Sequence, residues 1–228
     1  MSGGLFRTWP RERISGATVE QALNHFTWKM GPNITIDSVT LMNKVLEVIE
    51  ARWLFEQPGE KIEVIVHPQS IIHSMVEFVD GSVVAQLGVP DMRVPIQYAL
   101  TFPERAPLMT APFDLAKISS LTFESWDAVR FPCVGLAYEV LRRGGAGGAV
   151  LNAANEVARG RFLSGDGGFD DIATTNARVL ERYYDGGDGP AARDPDPSLE
   201  DVLAADRWAR EEAARVARTL RGKAAATK

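Results

Sequence analysis

Residues 38–55 read Ser38-Val39-Thr40-Leu41-Met42-Asn43-Lys44-Val45-Leu46-Glu47-Val48-Ile49-Glu50-Ala51-Arg52-Trp53-Leu54-Phe55. Met42, Val45, Leu46, Ile49 and Trp53 recur at three- and four-residue steps, the period of a helix with one apolar face. Ser38 is placed to cap that helix, which the spacing predicts to run to about Phe55. Asn43 and Glu47 fall four apart on another face. Downstream the period changes. Ile62, Val64 and Val66 alternate as a strand. Ser74–Val79 and Ser82–Leu87 read as two strands joined at Asp80-Gly81, a favoured hairpin dipeptide. Pro90-Asp91 opens a helix that stops before Pro103. A strong helix followed by a local hairpin points to an α+β chain with a small mixed or antiparallel sheet and flanking helices.

The outer parts follow from that centre. Val19–His25 reads as a short helix, and Phe26–Asn33 as a loop carrying Trp28, Met30, Gly31 and Pro32. Residues 103–132 are broken by prolines and read as a linker with one short strand near Ser120–Phe123. The remainder is helical. Cys133–Arg143 ends at Gly144-Gly145. Ala149–Phe162 ends near Gly165, and Asp170 is placed to cap a helix to about Tyr184. Ser198 with Asp201 opens a last helix, to about Leu220. Four helices with short to moderate loops predict a C-terminal helical bundle.

Composition narrows the function. The chain has 228 residues, is 45% apolar and 24% charged, and carries a net charge of −5. That is globular composition without the basic excess that nucleic acid binding uses. The one cysteine, Cys133, excludes an internal disulfide and a Cys-rich metal site. The expected compartment is cytoplasmic, without a membrane span.

Ser38, Asn43 and Lys44 place a hydroxyl, an amide and an ammonium beside a predicted helix start, where free N–H groups favour an anion such as phosphate. A capped amphipathic helix with one surface lysine fits the same spacing. Glu47, one turn on, is repelled by a phosphate unless a cation such as Mg²⁺ or Mn²⁺ stands between them; a solvated helical glutamate is the plainer reading. His25, Trp28 and Met30 suit a lid over a substrate, or a loop tacked to the core by its aromatic residue. His67 and His73 match no zinc spacing, and their neighbours suggest structural hydrogen bonding. Gly144–Gly148 follows a helix rather than a strand, so it reads as a helix–helix connection and not a phosphate loop.

Several blocks together are distinctive: Trp28-Lys29-Met30-Gly31, Ile36-Asp37-Ser38-Val39-Thr40-Leu41-Met42-Asn43-Lys44, Leu46-Glu47-Val48-Ile49-Glu50-Ala51-Arg52, His67-Pro68-Gln69-Ser70-Ile71-Ile72-His73-Ser74-Met75-Val76, Ala85-Gln86-Leu87-Gly88, Pro90-Asp91-Met92-Arg93 and Leu151-Asn152-Ala153-Ala154-Asn155-Glu156. In this order they closely resemble the 1-deoxy-D-xylulose 5-phosphate reductoisomerase family of the non-mevalonate isoprenoid pathway. The resemblance implies isomerisation and NADPH-dependent reduction of 1-deoxy-D-xylulose 5-phosphate to 2-C-methyl-D-erythritol 4-phosphate, with Mg²⁺ or Mn²⁺. It implies substrate and phosphate contacts at Ser2, His25, Ser38, Asn43, Lys44 and Glu47, a flap with Trp28 and Met30, a cofactor contact at Gly31, and a metal ligand at Glu47. It further implies a catalytic domain over 1–104, truncated at its N-terminus, a linker over 105–131, a four-helix bundle over 132–222 and a disordered tail over 223–228. A homodimer, or pairing with a full-length homologue, is expected.

The chain departs from the family pattern in places. His25 is followed by Phe26 rather than proline, Gly31 by Pro32-Asn33, and Val39 stands where alanine is usual. It begins at the family's Ser-Gly-Gly turn. The expectation is therefore a portion without its NADPH-binding domain, on the order of 150 residues. Glu47 is then the one metal carboxylate expected in it, and the isolated chain is expected to be inactive. The alternative is a non-catalytic dimerisation partner or a sugar-phosphate binder derived from that enzyme.

Overall fold

The structure is a computed structural model that describes residues 4–24, 31–186, 189–190 and 194–226, with side chains as far as residue 220. Ten α-helices, two short 3-10 helices and four short strands are described among these residues. They divide into two compact units, Ile65–Ser125 and Gly3–Val64 with Trp126–Lys228. This partition by packing follows different lines from the domain boundaries expected from the sequence.

The larger unit is helical. Three short helices open it, α1 (Arg11–Ser15), α2 (Val19–Leu23) and α3 (Pro32–Val39). Then come α4 (Met42–Phe55) and, after the other unit's segment, α7 (Cys133–Arg143), α8 (Gly147–Leu163), α9 (Phe169–Asp185) and α10 (Leu199–Ala226). The opening segment lies on α8 and α9 through Phe6, Ile14, Ala22, Ile36 and Val39, which share one core with Ala158, Phe162, Phe169 and Ile172. Phe6 meets Phe169 edge-on at 4.9 Å between centroids, an arrangement that suits the quadrupoles of the two rings. Arg11 fixes the outside of this contact with two bonds to the Asp170 carboxylate, 2.8 and 2.9 Å. Asp170 therefore does not cap α9. Gly168 occupies the N-cap, and the Asp171 carboxylate accepts its N–H at 2.8 Å.

Between α7 and α8, Gly144 and Gly145 take positive φ of 71° and 63°. Tyr184 donates to the Gly144 carbonyl at 2.8 Å. A Cβ on Gly147 would stand 1.9 Å from the Tyr184 hydroxyl. The glycine run is shaped by that tyrosine, and it connects two helices as its position after a helix suggests.

The smaller unit holds the hairpin of β2 (Ile72–Glu77) and β3 (Val83–Leu87), paired antiparallel around Gly81 at φ 80°. After it come α5 (Arg93–Thr101) and the one-turn α6 (Leu115–Ile118). β1 is only Ile65–Val66, because its antiparallel partner β4 is only Glu124–Ser125. The expected alternation from Ile62 thus forms a ladder two residues long. His67 is buried beside it. Its Nε2 accepts from the Ile71 N–H at 3.2 Å, so its Nδ1–H donates to the Thr122 carbonyl at 2.9 Å. The ring stacks on Phe123, and its role is structural.

Candidate functional site

The expected single helix from Ser38 to Phe55 is two helices with a kink. α3 ends at Val39; Thr40 and Leu41 make the corner; α4 starts at Met42. Leu41 sits in the left-handed region at φ 60°, ψ 14°, a conformation that costs an L-residue on the order of 1–3 kcal/mol and persists only where its surroundings enforce it. Here Leu41 is buried and its N–H donates to the Ser38 carbonyl at 3.3 Å. The Thr40 hydroxyl donates to the Ile36 carbonyl at 3.0 Å and accepts from the Met42 N–H at 3.3 Å. Ser38 therefore lies in the last turn of α3 and does not cap α4. The corner sets Ser38 one turn ahead of α4, whose first N–H groups are mostly taken: the Met42 N–H by the Thr40 hydroxyl and the Lys44 and Val45 N–H groups by the Leu41 carbonyl.

Asn43, Lys44 and Glu47 stand on the first two turns of α4. Glu47 accepts from Asn43 Nδ2 at 2.6 Å on one oxygen and from Lys44 Nζ at 2.5 Å on the other. The Lys44 and Glu47 side chains are 26% and 46% exposed, so the three polar groups form a solvent-facing cluster. The buried side of α4 is Met42, Val45 and Val48, whereas Trp53 is 68% exposed. The expected apolar stripe thus holds in its first half and not at Trp53.

The opening turn reaches the same corner. A Cβ on Gly4 would stand 3.0 Å from the Val39 Cα and 3.3 Å from the Ser38 carbonyl, so glycine permits the close approach. Gly31 is the N-cap of α3, with Pro32 at the first helical position, and nothing lies within 4 Å of where its Cβ would be. Ser2, His25, Trp28 and Met30 lie outside the described residues.

Sequence reasoning missed what lies beneath the corner. Asp37, immediately before Ser38, is buried and bonded from α8. Asn155 Nδ2 donates to one carboxylate oxygen at 2.8 Å, and Arg159 pairs with the other. Asn176 Nδ2, on α9, donates to Asn155 Oδ1 at 3.2 Å and lies 3.9 Å from the Met42 sulfur. Burial pushes the Asp37 carboxyl above its ordinary 3.8, against the pull of Asn155 and Arg159. Cys133 is buried nearby, and burial, helped by the Asp37 charge, pushes its thiol up to about 12. It is thus no nucleophile at neutral pH. A signal was present. Leu151, Ala154, Asn155 and Ala158 recur at helical spacing, and an asparagine inside an apolar stripe needs a buried partner.

The residues around the corner supply an anion with a hydroxyl, an amide and an ammonium rather than with a row of free helix-start N–H groups. For a divalent cation it offers little. Among the described residues no three His, Cys, Asp or Glu side chains come together as a ligand set. Glu47 alone does not satisfy an ion that takes about six oxygens. Nor do the described strands, all antiparallel, provide the βα turn that seats a dinucleotide pyrophosphate. No described helix is long and apolar enough to cross a membrane.

Fold and site define an α+β chain in which a helical unit presents a kinked, polar helix start. Comparison with known proteins gives the family. Residues 87–212, more than half of the chain, match the DXP reductoisomerase C-terminal domain, and residues 1–55 match the 1-deoxy-D-xylulose 5-phosphate reductoisomerase C-terminal domain. The chain belongs to the 1-deoxy-D-xylulose 5-phosphate reductoisomerase family. It is 54% identical over 210 residues to the reductoisomerase of Acetivibrio thermocellus and 55% over 212 to that of Geobacter metallireducens, in each case covering 92% of this chain and 53% of the relative. The Zymomonas mobilis enzyme, solved with NADPH, superposes at TM-score 0.83 and 45% identity over 95% of this chain and 53% of that one. A reductoisomerase solved with NADPH, fosmidomycin and magnesium superposes at 0.88 and 39% identity over 96% and 54%. The chain spans about half the length of the curated relatives it matches.

Proposed function

We propose that this chain supplies the phosphate-binding part of a 1-deoxy-D-xylulose 5-phosphate reductoisomerase, the enzyme that isomerises and reduces that sugar phosphate to 2-C-methyl-D-erythritol 4-phosphate with NADPH. The observation that carries the reading is the convergence of Asn43 and Lys44 on Glu47 at the start of α4, just past the strained corner that separates it from Ser38. A phosphate dianion competes with the Glu47 carboxylate for the same two donors, the Asn43 amide and the Lys44 ammonium. When it takes them, Glu47 is released as an oxygen donor. In this reading Ser2 and His25 complete the substrate contacts, Trp28 and Met30 belong to a flap, and Gly31 leaves room for NADPH. Glu47 is one carboxylate ligand of Mg²⁺ or Mn²⁺, whose other ligands and the nucleotide turn come from groups other than the described residues. Functionally, 1–104 carries the substrate site, 105–131 links it onward, and 132–222 forms the helical bundle; the tail expected from residue 223 instead continues α10 as far as Ala226. The setting is cytoplasmic.

The test is NADPH oxidation by the protein expressed from its complete gene, with 1-deoxy-D-xylulose 5-phosphate and Mg²⁺ or Mn²⁺. Turnover that falls sharply in Lys44→Ala is expected; turnover unchanged by that substitution contradicts the phosphate assignment. A polypeptide of these 228 residues alone is expected to oxidise no NADPH above a Lys44→Ala, Glu47→Ala control.

The exposed hairpin favours a second element of the reading, self-association. Met75, Val76, Val83 and Val84 are each 41% exposed or more, and an unpaired, apolar strand edge invites pairing. Sedimentation equilibrium is expected to show a dimer, of this chain or with a longer homologue; a monomer at micromolar concentration contradicts it.

A further inference from the structure

We propose that Asp37, held by Asn155 and Arg159, is a positioning residue that sets the spacing of the phosphate ligands across the α3–α4 corner. The inference rests on the phosphate assignment above and goes beyond it.

The proposed ligands straddle the corner, with Ser38 at the end of α3 and Asn43 and Lys44 at the start of α4. Their separation depends on how far the two helices are turned at Thr40 and Leu41. Nothing in the cluster at the surface fixes that angle, since its bonds, Asn43 and Lys44 to Glu47, all lie within α4. The Thr40 hydroxyl braces the corner locally, from the Ile36 carbonyl to the Met42 N–H, and the bonds beneath anchor both of its sides. Asp37 ties the last turn of α3 to α8 through both carboxylate oxygens. Asn155 relays that tie to Asn176 on α9, and Asn176 touches Met42, the first residue of α4. Both sides of the corner are thus referred to the same pair of helices, through groups adjacent in sequence to the ligands: Asp37 beside Ser38, Met42 beside Asn43.

This network is a poor way to gain stability. A buried ion pair is often no better than well-packed hydrocarbon of the same volume. Here it also leaves Arg159 Nε and Asn176 Oδ1 buried without hydrogen-bond partners. Such directional contacts do fix angle and register, which apolar packing specifies less tightly. A left-handed leucine at the corner is the kind of strain that surrounding bonds must enforce. Asp37, buried 118 residues away in sequence from Asn155, enforces it from below without touching substrate.

The test uses the protein from its complete gene and reads KM for 1-deoxy-D-xylulose 5-phosphate, kcat, KM for NADPH and Tm. Asp37→Asn keeps the shape and loses the ionic acceptor. The expected result is a KM for the sugar phosphate raised roughly tenfold, because displaced contacts weaken binding steeply, with kcat at saturation and KM for NADPH nearly unchanged. The double variant Asp37→Asn, Asn155→Asp exchanges the carboxylate and the amide, keeps the charge within reach of Arg159, and is expected to bring KM back. Arg159→Lys preserves charge and folding should Asp37→Asn fail to fold, and is expected to raise the same KM about threefold. A lowered Tm with KM unmoved in Asp37→Asn, or in Arg159→Lys if that is the variant that folds, would overturn the inference and leave a purely structural tie. If Lys44→Ala also leaves KM unmoved, the phosphate assignment itself falls and the positioning role with it; if Lys44→Ala raises KM while the Asp37 and Arg159 variants do not, only the positioning role falls.

Discussion

The helical unit and the hairpin unit solve the burial problem in opposite ways. In the helical unit Ile36, Val45, Val150, Leu151, Ile172 and Tyr183 are fully buried. Within Ile65–Ser125, Val66 is the one buried apolar side chain among the described residues, and β2 and β3 are largely exposed on both faces. A two-stranded hairpin without a core is marginal by itself in water. The difference teaches where function can be held to fine tolerance. The helical unit can carry a site whose groups must keep fixed spacing, whereas the hairpin offers backbone edges and apolar side chains that gain by meeting another surface.

That contrast can be broken experimentally. The largest expected effect comes from Arg159→Ala, which leaves the buried Asp37 carboxylate without its countercharge and is expected to cost roughly 3–5 kcal/mol in urea unfolding. Next is Ile172→Ala, whose removed atoms leave a cavity in the shared core; a loss of roughly 2–5 kcal/mol is expected in the same measurement. Val84→Ala on β3, 61% exposed, is expected to change unfolding by no more than about 0.5 kcal/mol. Its effect should appear in sedimentation, as a weaker dimer. If Val84→Ala costs as much as Ile172→Ala, the contrast between the units is wrong.

The smallest effect is a pH dependence. Burial holds the folded Asp37 carboxyl above its ordinary 3.8. Below that value the group is neutral in both states. As pH rises from about 3.8 to the folded value, the unfolded chain ionises first, so the wild type loses stability across that window and the loss levels off above it. Asp37→Asn removes this dependence. The stability of the wild type relative to Asp37→Asn is therefore expected to fall with rising pH through the window, as read by urea midpoints at closely spaced pH. A relative stability that rises there instead would mean that Asn155 and Arg159 outweigh burial.

Much of this was legible in the residues. Cys133–Arg143 matches α7 end for end, because Gly144 at positive φ stops the helix where its sequence signals a stop. Asp80-Gly81 placed the hairpin turn. Asn43, Lys44 and Glu47 were brought together by helical spacing alone. The corner was not legible, because apolar periodicity runs through Val39, Met42 and Val45 without a glycine or proline to mark the left-handed residue, which is Leu41. Asp170 carried a capping signal but was claimed by Arg11, a partner 159 residues away. The role of Asp37 is hidden from the sequence for the same reason. Its partners lie on α8, and no local rule connects them.

In the proposed reading the α3–α4 corner holds the substrate phosphate. The most direct measurement compares kcat/KM for 1-deoxy-D-xylulose 5-phosphate and for unphosphorylated 1-deoxy-D-xylulose, in the protein from its complete gene and in its Lys44→Ala variant. A charge-assisted contact to the phosphate predicts a loss of roughly 10- to 100-fold on the phosphorylated substrate and little change on the other. An equal loss on both substrates, or no loss on either, would contradict it.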